Sequence, residues 1–561
     1  MARRKTALLE ITHPPLTELP AVEANGRARA AALAVLSEAN LGTAGFVDYQ
    51  AGSAVLIVGP AERALGAARV LGDSMRCLIV ADDPGQGADL GQYLLARGRP
   101  MITGHLGAFV ATLDTDKGEV NLASLAQGKL THFDLVLDVS DEPVIEVEKP
   151  PIGYQRVGQD PQALGEALAL LPEMVGDFQK PRFFAYNENL CAHGARGLSG
   201  CTRCLDACAT GAIRSLGEMI EVDPYLCQGC GSCATTCPSG AIAYAYPEAR
   251  DLLGVLRRAL KSYSAMASQP PAVLFHDDDW GAGTLAPLGA ELPERVIPVP
   301  VEDTGSLGPD IWLMTLAFGA SDVLILQPDG AEPSVVEASA TQRALFTPVL
   351  EALQMEPARF ALLDGTEGLK EWLVKTPLHD SHGRQARQFS IGGGKRERLQ
   401  VAFAELYRPN RDVATTPLPP GAPFGQIQVD RDACTLCMSC AAVCPVEAVA
   451  SAGGEPQLLF DESRCLQCGL CEQACPEDAI ALEARLHLPA FARPEARVLN
   501  EEKPFHCVGC GKVFATEKII NRVADQLSGH WMFEDERARR RLEMCEDCRV
   551  KDLFDDEQMA R

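Results

Sequence analysis

The sequence predicts an α+β protein of several domains: two α/β domains, two small cysteine-rich domains and a small C-terminal metal-binding domain. Three observations support this prediction. The chain has 561 residues, of which 47% are apolar, enough for several packed cores. Its 21 cysteines are strongly clustered. Strand-sized apolar runs alternate with helix-sized segments in two separate stretches.

Composition also excludes several classes of protein. No apolar run reaches the 18 or so residues that a membrane span needs. The basic start at 1–5 is followed by Glu10, His13 and two prolines, not by the apolar region of a signal peptide. We therefore expect a soluble, cytoplasmic protein without direct membrane insertion. The formal net charge of −25 argues against a nucleic-acid partner.

These features divide the chain into seven predicted segments. They are 1–180 (α/β scaffold or docking domain), 181–250 (first cysteine-rich domain), 251–271 (linking helix), 272–375 (second α/β domain), 376–425 (linker), 426–490 (second cysteine-rich domain) and 491–561 (C-terminal metal-binding domain with four cysteines). The linker is expected because Pro417, Pro419 and Pro420 favour irregular structure.

The first 180 residues are interpreted as a Rossmann-like α/β domain. Strands are predicted at 54–59, 77–80, 109–113 and 133–138, with a helix at 62–71. The turn at 59–63 lacks the G-x-G-x-x-G pattern, and Pro60 and Glu62 stand where a pyrophosphate needs free amides and no negative charge. We prefer a scaffold or docking role and keep dinucleotide binding as the alternative. The isolated Cys77 is interpreted as a core residue.

The other twenty cysteines fall into three stretches, which in a cytosolic chain indicates metal or redox chemistry rather than disulfides. Three runs share the spacing C-x2-C-x2-C-x3-C-P. They are Cys227, Cys230, Cys233 and Cys237; Cys434, Cys437, Cys440 and Cys444; and Cys465, Cys468, Cys471 and Cys475. This is the run of bacterial ferredoxins, in which three cysteines hold one [4Fe–4S] cluster and the fourth serves the neighbouring cluster.

A fourth run departs from this pattern. Cys201, Cys204 and Cys208 follow C-x2-C-x3-C, and the missing first ligand is assigned to Cys191. The nine residues at 192–200, seven more than in the regular run, are rich in glycine and can bulge without straining the loop. The alternative is that Cys191 is a bystander and that this cluster contains three irons.

The four runs pair into two domains. Cys208 and Cys227 are separated by 18 residues and Cys444 and Cys465 by 20, and each gap has room for one β-hairpin. Cross-ligation then predicts four ligand sets, which we number as sites. They are site I (Cys191, Cys201, Cys204, Cys237), site II (Cys208, Cys227, Cys230, Cys233), site III (Cys434, Cys437, Cys440, Cys475) and site IV (Cys444, Cys465, Cys468, Cys471).

Residues 272–375 are interpreted as a second Rossmann-like α/β domain, preceded by a helix at 251–265. Strands are predicted at 272–275, 295–299, 323–326 and 360–363, and helices at 310–318 and 332–353. The acidic stretch at 276–279 follows the first strand. Its aspartates could bind Mg²⁺, but we prefer a solvated loop.

The last four cysteines form a different motif. Cys507-x2-Cys510 is typical of a metal knuckle, and Cys545-x2-Cys548 opens an expected helix at 546–554. Together they resemble a treble-clef site in which four thiolates hold one structural Zn²⁺. A fifth iron–sulfur cluster would use the same ligands and stays as the alternative.

The wider arrangement resembles a bacterial multi-cluster ferredoxin family, with two domains of two [4Fe–4S] clusters each, often encoded beside molybdenum-dependent formate dehydrogenases. The resemblance rests on segments such as Leu-Ser-Gly-Cys-Thr-Arg-Cys-Leu-Asp at 198–206 and Phe-His-Cys-Val-Gly-Cys-Gly-Lys at 505–512. It implies dicluster ferredoxin folds for the two cysteine-rich domains and a redox-enzyme partner, formate dehydrogenase among the candidates.

These motifs predict an electron carrier or an oxidoreductase subunit without catalytic residues of its own. Four [4Fe–4S] clusters would relay single electrons between a low-potential donor and a redox enzyme. One alternative is an accessory or maturation factor for a molybdenum or iron–sulfur oxidoreductase. Another is an oxidoreductase with a nucleotide site in its N-terminal domain.

The two cysteine-rich domains differ in charge. Residues 426–485 contain ten Asp and Glu against three Arg, whereas residues 181–250 contain six against five. Because nearby negative charge disfavours adding an electron, we expect sites III and IV to have lower potentials. Redox partners are expected to present basic surfaces.

Overall fold

The computed structural model of the chain describes residues 19, 21–39, 41–42, 45–81, 95–115, 118–125, 130–375, 378–380, 389–407, 415–453 and 455–559. Parts of the predicted linker at 376–425 lie outside the described residues. Within the described ranges, no helix is both long enough and apolar enough to cross a membrane.

The N-terminal unit alternates strands and helices. Its elements are α1 (Ala24–Ser37), β1 (Phe46–Ala51), β2 (Ala54–Val58), α2 (Ala61–Leu71), β3 (Arg76–Ala81), β4 (Leu95–Arg97), β5 (Met101–Thr103), β6 (Val110–Thr115), β7 (Gly118–Asn121), β8 (Leu135–Asp138), β9 (Tyr154–Arg156), α3 (Pro161–Leu170) and β10 (Gly176–Pro181). The central sheet, in the order β4-β3-β2-β8-β9, is parallel throughout. All five residues of β2 are buried because both faces of this sheet are covered.

The two faces of this sheet are covered differently. Residues of α2 and α3 pack on one face, and the antiparallel sheet β5-β6-β7 covers the other. The strand predicted at 109–113 therefore belongs to this second sheet, whereas a Rossmann-like layout has helices on both faces. The turn after β2 is closed, since a Cβ atom on Gly59 would lie 2.7 Å from the backbone nitrogen of Ser140.

The first cysteine-rich domain consists of short elements. They are β11 (Phe184–Tyr186), β12 (Gly194–Ala195), β13 (Leu198–Ser199), α4 (Arg203–Asp206), β14 (Ile213–Ser215), β15 (Ile220–Val222), α5 (Ser232–Thr236) and β16 (Ile242–Tyr244). The hairpin predicted between the two runs is confirmed, as β14 pairs antiparallel with β15. The glycine-rich insertion is a small hairpin of β12 and β13, whose turn has positive φ at Arg196 and Gly197.

The second α/β domain has helices on both faces of a four-stranded parallel sheet. Its elements are α6 (Ala249–Ser264), β17 (Ala272–Asp277), α7 (Trp280–Leu288), β18 (Val296–Val301), α8 (Pro309–Ala317), β19 (Asp322–Gln327), α9 (Pro333–Ala352), β20 (Phe360–Asp364) and α10 (Gly365–Lys375). The strand order is β18-β17-β19-β20. Residues of α6, α8 and α9 form the core on one face, and residues of α7 and α10 that on the other.

Two helices from outside the predicted domain join this core. Helix α1, which the sequence analysis placed in the N-terminal domain, packs against α6. Helix α11 (Lys395–Leu406) lies inside the predicted linker at 376–425 and packs against α8. The linker prediction is wrong for this segment, because apolar residues at helical spacing form one buried face. They are Leu399, Ala402, Phe403 and Leu406.

The second cysteine-rich domain and the C-terminal segment complete the chain. Their elements are β21 (Thr415–Pro417), β22 (Gly425–Val429), α12 (Ser439–Ala442), β23 (Val449–Ser451), β24 (Gln457–Phe460), α13 (Leu470–Gln473), β25 (Ile480–His487), α14 (Leu488–Ala492), β26 (Arg497–Glu501), β27 (Pro504–His506), β28 (Val513–Thr516), α15 (Glu517–Leu527), α16 (Glu536–Leu542) and α17 (Glu546–Met559). The predicted hairpin is confirmed by β23 and β24, which β26 extends to three strands. Strands β27 and β28 form a further hairpin.

Candidate metal centres

The three regular cysteine runs share one backbone conformation. In each run the residues on both sides of the second cysteine have positive φ. These residues are Gly229 and Gly231, Leu436 and Met438, and Gln467 and Gly469. A short helix (α5, α12 or α13) begins directly after each turn. A positive φ costs free energy for Leu, Met and Gln. These residues adopt it because the loop around the cysteines requires that backbone conformation.

Site I collects thiols from separate parts of the first cysteine-rich domain. Burial raises the pKa of the Cys204 thiol to about 12, and neighbouring thiols add to the rise. Those neighbours are Cys237, Cys201 and Cys191. Cys191 is therefore close enough to Cys204 to interact with its thiol, and it packs against the same apolar cluster as Cys204 and Cys237. The ring of His193 supports the insertion, with Nδ1 2.8 Å from the carbonyl oxygen of Cys201.

Site II combines Cys208 from the first run with three thiols of the second. Burial raises the pKa of Cys233 well above its usual value, and Cys227 and Cys208 add to the rise. Burial also raises the pKa of Cys230, and the Cys227 thiol adds to that rise. Cys204 of site I also acts on Cys233, so sites I and II are neighbours.

Sites III and IV repeat this cross-over in the second domain. Burial raises the pKa of Cys440 to about 12. The neighbouring thiols of Cys437, Cys434 and Cys475 add to this rise. The pKa of Cys471 is raised by burial, then by Cys465, Cys468 and Cys444, and also by Cys440 of site III. In both domains the fourth cysteine of each run therefore lies close to cysteines of the neighbouring run.

Backbone amides support the two cysteines that cross over in the second domain. The amide of Ala448 donates to Cys444 Sγ at 3.2 Å, and that of Ala479 donates to Cys475 Sγ at 3.3 Å. Amides aimed at ligand sulfurs are one of the means by which a protein tunes an iron–sulfur cluster. Of the sixteen cysteines in sites I–IV, Cys437 alone is exposed.

The two cysteine-rich domains meet at a small apolar core, which we call the interdomain junction. Its buried residues are Ala192, Val443, Leu466 and Leu470. Cys201 of site I and Cys468 of site IV both pack against this junction. At its edge, Gln473 Nε2 donates to the carbonyl oxygen of Ser199 at 3.0 Å. Sites I and IV therefore face each other across the junction.

Two consecutive cations reach helix α5, which directly precedes Cys237 of site I, and the Cys465 loop of site IV. Lys395 Nζ donates to the carbonyl oxygens of Ala234 and Thr235, at 2.8 and 2.6 Å, just before Cys237. Arg396 donates to the carbonyl oxygen of Cys465 at 2.6 Å. Burial lowers the pKa of Arg396 to about 10. Nothing in the local sequence around Lys395 and Arg396 indicates these contacts, because both residues lie far along the chain from the segments that they contact.

Lysines also contact the loops of sites II and III. Lys180 is buried, donates to the carbonyl oxygens of Tyr225 and Cys227, and has a pKa lowered by burial to about 8. Lys518 of α15 donates to the carbonyl oxygens of Asp432 and Cys434, at 2.6 and 3.3 Å. At least one cation therefore contacts the backbone near a cysteine of each of the four sites.

The C-terminal cysteines form a compact set of four. The sulfurs of Cys507, Cys510, Cys545 and Cys548 all lie within 4.8 Å of one another. A tetrahedral zinc ion with Zn–S bonds of about 2.3 Å would hold its sulfurs about 3.8 Å apart. The Cys510 and Cys545 sulfurs are 3.7 Å apart, which fits a single ion. Burial raises the pKa of Cys507, but backbone amides, that of Cys545 foremost, outweigh it and lower the value to about 6.

The cysteine sulfurs of sites I–IV lie farther apart than those of this C-terminal set. In the described part of the chain, no other three cysteine, histidine or acidic side chains bring their ligand atoms within 4.8 Å of one another. The sulfurs of sites I–IV therefore leave a wider space between them. A core built of several iron and sulfide atoms needs such a space, so these residues fit a [4Fe–4S] cluster better than a single ion.

The remaining candidates have structural roles. The carboxylate of Asp277 accepts hydrogen bonds from the amides of Asp279 and Gly281 at the start of α7. Cys77 is half-buried in β3, and burial raises its pKa to about 11, which suits a core thiol. His506 is exposed, with Nδ1 3.1 Å from the carbonyl oxygen of Gly511.

Comparison with known families agrees with this geometry. A family described as a 4Fe-4S dicluster domain matches residues 433–479, which include all eight cysteines of sites III and IV. A family described as a 4Fe-4S binding domain matches residues 219–242, which include the second run. The chain thus contains two ferredoxin-type 4Fe-4S domains. The irregular first run lies outside both matches. Curated protein sequences give no match to the chain.

Proposed function

We propose that the chain is an electron-transfer protein in which four [4Fe–4S] clusters form one series through both cysteine-rich domains. The observation that supports this most is the packing of Cys201 and Cys468 against the same interdomain junction. Cys204 neighbours Cys233, and Cys471 neighbours Cys440. The sites then follow one another in the order II, I, IV, III. When bound, such clusters supply one-electron transfer without an open iron position.

The chain's own residues would hold the clusters, exclude water and set their potentials. The interdomain junction is apolar, and Leu470 within it is fully buried, so water is kept from the space between sites I and IV. Low solvent access and fixed hydrogen bonds are features that tune the potential of a metal centre. Lys395 and Arg396 hold the two facing loops together from one helix start.

We further propose that the four C-terminal cysteines hold one structural zinc ion. Four thiolates close a tetrahedral site and leave no position for substrate. The metal would fix α15 beside site III, where Lys518 contacts the backbone of Cys434 and Arg522 Nη1 lies 2.8 Å from Glu477 Oε1. In this proposal the C-terminal segment shields one side of site III and leaves Cys437 exposed.

The exposed Cys437 makes site III the end at which a redox protein would dock. The acidic excess of residues 426–485 favours a partner with a basic surface. The sequence resemblance points to a formate dehydrogenase as this partner. A cytoplasmic electron carrier between a low-potential donor and such an enzyme is the function proposed. If the chain were a maturation factor, it would instead bind the immature enzyme in preference to the mature one.

Chemical analysis of the anaerobically purified chain tests the cluster count. We expect about 16 iron atoms, about 16 sulfides and about one zinc per chain. About eight iron atoms would contradict a four-cluster series. Affinity capture then tests the partner: binding to mature formate dehydrogenase supports the carrier, whereas binding to the cofactor-free enzyme alone would favour the maturation role.

A further inference from the structure

A large cleft lies where the N-terminal unit, the first cysteine-rich domain and the second α/β domain meet. Its volume is about 1330 Å³. Strands β1 and β10 and the segment 150–155 form one side, and Gln228, Asp279 and Glu302 lie on the others. Protein sites for small organic ligands are clefts of about this size or somewhat smaller.

The cleft adjoins site II. Gln228, in its wall, directly follows Cys227 in the chain. Lys180, also in the wall, binds the carbonyl oxygen of Cys227. Phe183 packs so closely on the next turn that a Cβ atom on Gly229 would lie 2.7 Å from its ring. Residues of the cluster-binding loop itself therefore separate the cleft from site II.

Protein packing closes site II on its other side. A Cβ atom on Gly231 would lie 2.4 Å from the backbone of Ser306, and one on Gly305 would lie 2.4 Å from the carbonyl oxygen of Cys230. The second α/β domain thus covers this loop. Site III ends the series at the exposed Cys437, where a protein can dock. At the other end of the series, Cys230 of site II is buried, and the cleft adjoins the loop that carries it.

The position of the cleft in the second α/β domain is one at which ligands bind. Asp279 follows β17 and Glu302 follows β18, and these two strands are neighbours in the parallel sheet. Ligands of open parallel α/β sheets bind outside the carboxyl ends of the strands. The cleft therefore joins a ligand-binding edge of one domain to the terminal cluster site of another.

The lining indicates the kind of ligand. Its charged side chains are four carboxylates and one ammonium group. They are Asp48, Asp177, Asp279, Glu302 and Lys180. The lysine is buried and already bound to carbonyl oxygens. Carboxylates repel phosphate and attract cations. Aromatic and amide side chains, among them Phe46, Phe178 and Gln155, supply flat apolar faces and hydrogen bonds.

We propose that this cleft binds a planar redox-active ring without phosphate, uncharged or cationic, which exchanges electrons with the cluster at site II. A bipyridinium dication would take one electron from the reduced series and become the radical cation. A quinone would take two electrons from the series and two protons from water and become the quinol. This inference rests on the proposed function, since it needs a cluster at site II.

Equilibrium dialysis with the full-length, cluster-loaded protein tests the proposal. The probes are methyl viologen, menadione and flavin mononucleotide. We expect the first two to bind and the phosphorylated flavin not to bind. Asp48→Asn combined with Asp177→Asn removes two carboxylates and is expected to weaken methyl viologen binding about fivefold. Asp114→Asn, an exposed carboxylate of β6 outside the cleft, is the matched control and should change nothing.

A second variant tests the location independently of charge. Gln155→Trp places a bulky ring in the wall of the cleft and should weaken binding of both rings while the visible spectrum of the clusters is kept. Equal binding in this variant, in the double variant and in the wild type would overturn the proposal, as would binding of the flavin mononucleotide. Iron analysis of the same samples separates the two failures. Four clusters without ring binding would refute the cleft alone, and fewer clusters would refute the series.

Discussion

Lys395 and Arg396 are consecutive residues at the start of α11, yet their side chains bind cysteine loops of two different domains. Lys395 Nζ lies 2.6 Å from the carbonyl oxygen of Thr235, and Arg396 Nη2 lies 2.6 Å from that of Cys465. The helix that positions them is packed in the core of the second α/β domain. One helix start therefore contacts both α5, which carries Cys233 of site II and directly precedes Cys237 of site I, and the Cys465 loop of site IV.

Replacing Arg396 is expected to lower the potential of the cluster at site IV. Arg396→Met removes a cation beside the Cys465 loop, an effect on the order of 1 kcal/mol, or roughly 45 mV for a one-electron couple. Arg396→Lys keeps the charge and should shift the potential less. Redox titration followed by electron paramagnetic resonance measures both. The exposed Arg493→Met is the control, and an equal shift there would contradict the role of Arg396.

The interdomain junction is expected to be necessary for contact between sites I and IV. Leu470→Ala leaves a cavity at a fully buried position and should cost about 2–5 kcal/mol of stability. It should also weaken the magnetic interaction between the two reduced clusters. Leu369→Ala, equally buried in the second α/β domain, should cost as much without a magnetic change. Identical spectra for the two variants would contradict this role of the junction.

Cys191 is expected to be a true ligand of site I. Cys191→Ser should lose about one iron atom per chain, or the whole cluster, because the soft thiolate is removed. Cys77→Ser is the matched control and should keep the full iron content. Iron analysis with electron paramagnetic resonance detects the difference. Unchanged iron in the Cys191 variant would support the bystander interpretation.

Removal of the C-terminal metal is expected to loosen one segment only. Cys510→Ser opens the four-thiolate site, whose metal contributes directly to local folding. Hydrogen exchange should rise within 504–559 and in the loop of site III that Lys518 contacts. The visible absorption of the iron–sulfur clusters should be retained. Loss of about a fifth of that absorption would instead indicate a fifth cluster at this site.

The clusters of the second domain are expected to have the lower potentials. Acidic residues exceed basic ones there, whereas site II has the buried Lys180 beside its loop. Site III should lie below site II, because its domain carries the acidic excess and Lys518 contacts only backbone carbonyl oxygens of its loop. Potentials assigned by titration of cysteine variants check this order. A higher potential for site III than for site II would contradict it.

Local spacing made the cysteine loops predictable, because each run fixes its own turn and the helix after it. The hairpins between runs were predictable for the same reason. Contacts distant in sequence were not. Strand β6 looked like its neighbours but pairs in a separate antiparallel sheet. Helix α11 carries a regular apolar face, yet Lys395 gives no local sign that it reaches Ala234, 161 residues away.

The central claim is that four clusters form one continuous series, and spin quantification of the fully reduced chain tests it most directly. Electron paramagnetic resonance of the full-length protein, reduced anaerobically and integrated against a standard, should give about four spins per chain. Magnetic interactions between neighbouring clusters should broaden the lines. These interactions should include the one between sites I and IV, across the junction at Leu470. About two spins, or two pairs without interaction between them, would contradict the series.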